Sequence, residues 1–312
     1  MNLDYSIGII GAGPAGMSAA IYAARAGRTV VLFEGAACGG QMLLAHEIEN
    51  YPGVAKAAGY ALADQMMEQM KQLSISVVYG TVDSVASENG VFMVRAGKKE
   101  FSVGAVIVAA GTERRTLGVP GEAEFLGRGV SYCAVCDGRF FAGKDVAVVG
   151  GGNTALGDAL YLANICRSVT LIHRRDAFRA DRILVDRLAG ASNIRTVMKA
   201  RVQSIEGEAR VQTLTLTDTS ASGVSAPMVL QAEGVFVAVG SVPKLTFLSD
   251  VEGISYDPSG YIITDDRCRA GVPGLYAAGD VRSKTLRQIA TAVSDGAIAG
   301  TEAVEYLDGL SE

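Results

Sequence analysis

The residues in this chain best suited to chemistry are Cys133 and Cys136, with Asp137 directly after them. They form a Cys-x-x-Cys, the closest pair among 5 cysteines; the others are Cys38, Cys166 and Cys268. Three readings compete. A structural zinc wants four ligands and one pair supplies two. No second pair exists, and the chain's 2 histidines are His46 and His173. Two structural thiols are the second reading, although chance rarely places two of so few cysteines this close. A redox dithiol is the third and the preferred one. A separation of three on a helical turn allows the short Cα distance of a disulfide. Asp137 can then pass a proton during thiol exchange.

A redox dithiol needs a source of electrons, and two glycine loops flank it. In the first, the apolar run Ser6–Ile10 ends in Gly11-Ala12-Gly13-Pro14-Ala15-Gly16. A helix of small residues follows to Arg25, then a β-rich run Thr29–Phe33 that ends at Glu34. Strand, glycine loop, helix, strand and acid together make a dinucleotide fingerprint. Small residues let the backbone approach a pyrophosphate at the helix N-terminus, and the acid accepts from a ribose 2′-hydroxyl. Glu34 would repel a 2′-phosphate, so this loop suits FAD or NAD.

The plan repeats after the cysteines. Asp145–Val149 leads into Gly150-Gly151-Gly152-Asn153-Thr154-Ala155, a helix to about Ala163, and the run Ser168–Ile172. Where Glu34 stood, this copy carries His173-Arg174-Arg175, with Arg179 close behind. Guanidinium groups at that place favour a 2′-phosphate through bidentate bonds, which predicts NADP.

The remaining segments complete both copies. Residues 58–73 read as a helix with one apolar side. Ser76–Tyr79, Thr81–Val85, Val91–Arg95 and Glu100–Val103 read as a β-meander turning at Asn89-Gly90 and Gly97. Ala105–Gly111 reads as a closing buried strand. Thr196–Ile205, Arg210–Thr217 and Met228–Ala232 are the second meander, closed by Val235–Gly240. The expected fold is therefore α/β: two Rossmann-like, three-layer dinucleotide-binding domains, each with a β-meander. The C-terminal part has a strand Leu275–Ala278 ending at Gly279-Asp280, and a helix to about Leu307. It has no glycine cradle, so it is expected to complete the first domain. The predicted division is 1–114 with 245–312, and 115–244 carrying the cysteine pair.

Composition bounds the function. The 312 residues are 49% hydrophobic and 20% charged with a net charge of -5, so no basic field points to nucleic acid or anionic lipid. Ile7–Ala24 is uncharged, but Gly11, Gly13, Pro14 and Gly16 interrupt it and no Lys or Arg precedes it. A strand, turn and helix explain it better than a membrane span. An odd cysteine count spread thinly suits a reducing cytoplasm. Cys38 reads as a small buried or loop residue, and His46 as a surface or packing residue.

At this point the motifs resemble those of the low-molecular-weight thioredoxin reductases, over essentially the whole chain. The resemblance is carried by Gly11–Gly16, Gly39-Gly40-Gln41, Cys133–Gly138, the glycine run with Asn153-Thr154-Ala155, His173-Arg174-Arg175 with Phe178-Arg179-Ala180, and Gly279-Asp280 with Arg287-Gln288. It implies FAD on the discontinuous domain, held by Gly11, Gly13, Pro14, Ala15, Gly16, Glu34, Gly40, Gln41, Asn50, Gly111, Gly279, Asp280, Arg287, Gln288 and Ile289. It implies NADPH on the inserted domain, held by Gly150, Gly152, Asn153, Thr154, Ala155, His173, Arg174, Arg175 and Arg179. It further implies a homodimer acting on thioredoxin or a similar small disulfide protein. Cys136 would face the flavin, Cys133 would attack the partner's disulfide, and Asp137 would be the acid/base. Domain rotation about hinges near 112–117 and 241–246 belongs to the same implication. The chain departs from the family pattern at Gly157-Asp158, where two acids are usual, at Ala109-Ala110-Gly111, and at Cys38. A flavin-dependent dithiol oxidase would not need the 2′-phosphate arginines. A nucleotide- or redox-sensing binding protein would hold FAD without turnover.

Overall fold

The computed structural model describes residues 3–45, 48–220 and 227–310; His46 lies outside them. The chain forms two compact units, Met1–Glu113 with Val242–Glu312, and Arg114–Ser241.

The first unit is built on a sheet of seven strands. β1 (Tyr5–Ile10) lies between β2 (Val30–Glu34) and β6 (Lys99–Val108), parallel to both. β3 (Ser76–Tyr79) is parallel to β2 and forms the outer strand. The meander is therefore β4 (Val82–Glu88), β5 (Val91–Ala96) and the start of β6, which pair antiparallel. Ser76–Tyr79, read from its β-rich residues as part of the meander, instead closes the βαβ unit through α2 (Gly59–Gln72). The two runs Glu100–Val103 and Ala105–Gly111 are one ten-residue strand, β6. Its first half pairs β5, and its second half pairs the returning strand Leu275–Ala277.

Two alanine-rich helices cover this sheet. α1 (Pro14–Arg25) buries Ala15, Met17, Ala19, Ala20 and Ala23. The C-terminal helix Ile289–Gly309 lies against it and approaches its backbone closely at Gly296 and Gly300. A Cβ on Gly296 would lie 2.1 Å from the Ala15 carbonyl oxygen, and one on Gly300 2.6 Å from that of Ala19. That close approach ties the C-terminal tail to the first glycine loop.

The second unit repeats the plan with five parallel strands, in the order Ile194–Val197, Ser168–Ile172, Asp145–Val149, Gly234–Val237, Val130–Ser131. α4 (Asn153–Ala163) follows the glycine run. The segment Thr196–Ile205, read as one strand, is two. Lys199 adopts a left-handed φ of 53°, which ends the parallel strand and turns the chain into the antiparallel sheet Ala200–Gly207, Val211–Asp218, Met228–Gln231. Among the described residues no helix is long and apolar enough to cross a membrane.

Candidate functional site

The redox loop follows the short strand Val130–Ser131. Cys133 is the N-cap of α3 (Ala134–Asp137), and its sulfur accepts from the Cys136 backbone N–H at 3.2 Å. The helical turn brings the two Cα atoms to 5.3 Å, and Cys133 and Cys136 are joined as a disulfide. So joined, they offer no thiolate to a metal. Among the described residues no group of three His, Cys, Asp or Glu side chains is placed to hold one. Ser131, unremarkable in the sequence, organises the loop. Its hydroxyl accepts from the Cys133 N–H at 3.0 Å and donates to Asp137 Oδ2 at 2.6 Å. Asp137 Oδ1 is buried without a hydrogen-bond partner. Such an atom costs roughly 1–3 kcal/mol, and sites that handle protons are where it is tolerated.

The other three cysteines are different. Cys38, Cys166 and Cys268 are buried free thiols. Burial raises all three pKa values, to about 11 for Cys166 and about 12 for Cys268. At neutral pH they are unreactive thiols.

The first cradle is shaped by contacts only glycine permits. A Cβ on Gly11 would lie 2.4 Å from the Ala109 carbonyl oxygen, and one on Gly16 1.8 Å from that of Gly11. Gly13, before Pro14 at the helix start, faces open space. Glu34 reaches back to the loop: Oε2 accepts from Ala12 N–H and Oε1 from Ala36 N–H, both at 2.8 Å. Each oxygen keeps a lone pair for a ribose hydroxyl. Gly40 folds over the loop, its Cβ direction 3.2 Å from the Gly13 Cα. Gln41 donates to the Thr112 carbonyl at 2.7 Å, next to Gly111, whose φ is positive. Asn50 donates to Gln288 Oε1 at 3.0 Å, and Gln288 caps the helix that begins at Ile289. Gly279 N–H is held by Asp295 at 3.0 Å. Asp280, next in the chain, has a buried Oδ1 with no hydrogen bond, and burial raises its pKa. Arg287 is engaged with the protein itself, donating to the carbonyls of Asp280 and Arg282 and stacking on Tyr261 at 4.0 Å.

The second cradle repeats the geometry. A Cβ on Gly150 would lie 2.4 Å from the Ala238 carbonyl oxygen, and Ala155 packs below it, fully buried. Gly152 faces open space. A cavity of about 700 Å³ opens here, lined by Gly150, Gly152, Thr154, His173, Arg174 and Arg179 among others. Arg115 and Arg201 line it too, and the sequence motifs did not reveal them because they lie far from the glycine run. Arg175 is not among the lining residues. His173 packs its ring against Gly151, where any Cβ would overlap it, and its Nε2 lies 3.1 Å from the Ala177 carbonyl oxygen. Burial, with the neighbouring arginines adding to it, lowers its pKa, so at neutral pH it is a wall and not a cation. Asn153 exchanges two 2.8 Å bonds with Asp181 and so braces the start of α4. At the departure Gly157-Asp158, a Cβ on Gly157 would meet nothing, while burial raises Asp158 to a pKa of about 7.

Comparison with known proteins agrees with this arrangement. Residues 5–296 match the family model of the pyridine nucleotide-disulphide oxidoreductases. A thioredoxin reductase of Treponema pallidum is 41% identical over 311 residues, 99% of each chain. One from Bacillus subtilis is 42% identical over 309 residues, 99% of this chain and 96% of that one. The crystal structure of the Streptococcus pyogenes thioredoxin reductase superimposes with a TM-score of 0.85 at 41% identity, covering 98% of both chains.

Proposed function

Because the chain belongs to the pyridine nucleotide-disulphide oxidoreductases, and within them to the thioredoxin reductases, we propose that it passes electrons from NADPH through FAD to the Cys133–Cys136 disulfide and on to thioredoxin or a similar small disulfide protein. The observation that carries this reading is the disulfide itself, beside an acid whose second oxygen is buried and unpaired.

The residues present fit both cofactors. Asp280 offers a buried acceptor for a hydroxyl donor, as a flavin's ribityl chain has, and Gly13 leaves room for a pyrophosphate above α1. The cavity lined by Arg115, Arg174, Arg179 and Arg201 suits the 2′-phosphate of NADPH. FAD, when bound, supplies two-electron exchange between nicotinamide and disulfide. The chain's own steps begin once the pair is a dithiol. Cys133 gives its proton to Asp137 and as thiolate attacks one sulfur of the partner's disulfide, expelling the other as thiolate, and Asp137 returns the proton to neutralise it. Cys136 then attacks Cys133 in the mixed disulfide. The bond to the partner breaks, the departing sulfur takes up the proton that Cys136 releases so that the partner leaves as a dithiol, and Cys133–Cys136 forms again. Met1–Glu113 with Val242–Glu312 would be the FAD unit and Arg114–Ser241 the NADPH unit. The enzyme would act as a homodimer in the cytoplasm.

The test is NADPH-dependent reduction of a thioredoxin disulfide by the purified flavoprotein. Wild type should turn over, and Cys136→Ser should lose at least about a thousandfold, since a single thiol cannot complete the exchange. Turnover that survives Cys136→Ser would remove the dithiol from the path.

A further inference from the structure

We infer that Glu122 is a positioning residue that ties the wall of the nucleotide cavity to the redox loop. The inference rests on the NADP(H) reading of that cavity. Glu122 is one of the few acids buried in the second unit, with 4% of its surface exposed. It belongs to none of the motifs. An acid so placed persists only when its oxygens are well occupied, and three donors occupy them here. Oε2 accepts from Gly118 N–H, and Oε1 from both Leu117 N–H and the Tyr132 hydroxyl, each at 2.8 Å.

Those donors belong to two places. Leu117 and Gly118 line the nucleotide cavity. Gly118 turns there with a φ of 69°. The turn is closed by Glu122 N–H donating to the Val119 carbonyl at 3.2 Å, which folds the carboxylate back onto it. Tyr132 is the residue immediately before Cys133. Its ring carries the Arg114 guanidinium at 5.5 Å, and burial followed by the Glu122 bond raises its phenol pKa, so the hydroxyl stays a donor. On the other side of Tyr132, Ser131 holds both Cys133 N–H and Asp137. One carboxylate thus sets the cavity wall directly and the dithiol loop through Tyr132.

The two arms can be cut separately in the full-length holoenzyme. Glu122→Gln leaves an amide that cannot accept from all three donors. Tyr132→Phe removes only the arm to the loop. Two quantities are read: the Kd of NADP⁺, by equilibrium titration, and the rate at which iodoacetamide alkylates Cys133 after reduction by dithiothreitol, by mass spectrometry. Glu122→Gln should weaken NADP⁺ about tenfold, the loss of one charge-assisted bond, and change the alkylation rate several-fold. Tyr132→Phe should change that rate alike while leaving the Kd within about twofold. The double variant should alkylate as either single one does, because the arm is already cut. An unchanged Kd in Glu122→Gln, or equal shifts of both readouts in Tyr132→Phe, overturns the inference while wild-type NADP⁺ binding leaves the cavity reading standing. A wild type that binds no NADP⁺ overturns both. Should Glu122→Gln not accumulate folded, Tyr132→Phe decides: altered alkylation at unchanged Kd supports the strut, and unaltered alkylation refutes it.

Discussion

The two glycine cradles share one backbone solution and carry opposite charge. In each, the first glycine lies where a Cβ would come 2.4 Å from a strand-end alanine carbonyl, Ala109 in one unit and Ala238 in the other. In each, a later loop glycine faces open space. The difference begins where the second strand ends. Glu34 turns back and ties its own loop through Ala12 and Ala36. In the other copy Arg174 and Arg179 face a cavity, joined by Arg115 and Arg201, while His173 fills the space behind Gly151. The lesson is that loop geometry makes room for a pyrophosphate, and the residue at the end of the second strand decides which nucleotide accompanies it.

The largest expected effect comes from breaking the shared geometry. Gly11→Ala should weaken flavin binding and leave NADP⁺ binding intact, and Gly150→Ala should weaken NADP⁺ binding and leave flavin bound, each by about tenfold to a hundredfold. Each overlap costs about 1–3 kcal/mol even after relaxation. Visible absorbance and NADP⁺ titration of the two variants check this, and loss of the same cofactor in both would break the assignment. Next comes the charge difference. Arg174→Ala and Arg179→Ala should each raise the KM for NADPH about tenfold or more while leaving that for NADH within about twofold. Added salt should weaken NADPH binding in wild type more than in the double variant. Glu34→Gln should weaken FAD by about tenfold or less, because the amide can still accept one of its two backbone bonds; isothermal titration of the apoprotein measures it.

A last difference, in stability and not in cofactor binding, sits at equivalent places on the two helices, Ala19 in α1 and Asp158 in α4. Ala19 is fully buried under the C-terminal helix, whereas burial raises the Asp158 pKa from 3.8 to about 7. Folded protein keeps this proton up to about pH 7, while the unfolded chain releases it near pH 4. The acid's contribution to stability therefore falls as pH rises through that window and stays lowered above it. Asp158→Asn should gain on the order of a few kcal/mol at about pH 8 relative to wild type and about a third of that at about pH 5, falling to nothing below about pH 3. Urea melts at the two pH values test the sign.

Much of this was legible from short-range pattern. The cysteine pair, both glycine loops, Glu34 and the arginines announce themselves because a motif compresses their geometry into a few neighbouring residues. Part of what the pattern missed depends on partners distant in sequence. Ser76–Tyr79 has the composition of any exposed strand, and only its register beside β2, Glu34 opposite Tyr79, makes it part of the parallel sheet. The break at Lys199 is a left-handed residue of a type that gives no turn signal. Arg115 and Arg201 lie outside every motif, and their roles come from where the chain returns; Glu122 and Ser131 bond to near neighbours in sequence, but no motif marks them. His173, expected among the residues that hold NADPH, lines the cavity with its ring packed against Gly151.

The central claim is that reducing equivalents from NADPH arrive at Cys133 and Cys136 and at no other cysteine. Anaerobic incubation of the holoenzyme with NADPH, followed by alkylation and peptide mass spectrometry, tests it directly. The account predicts label on Cys133 and Cys136 only after NADPH, with Cys38, Cys166 and Cys268 unlabelled until the protein is denatured. Label that appears without NADPH, or that never reaches Cys133 and Cys136, would contradict it.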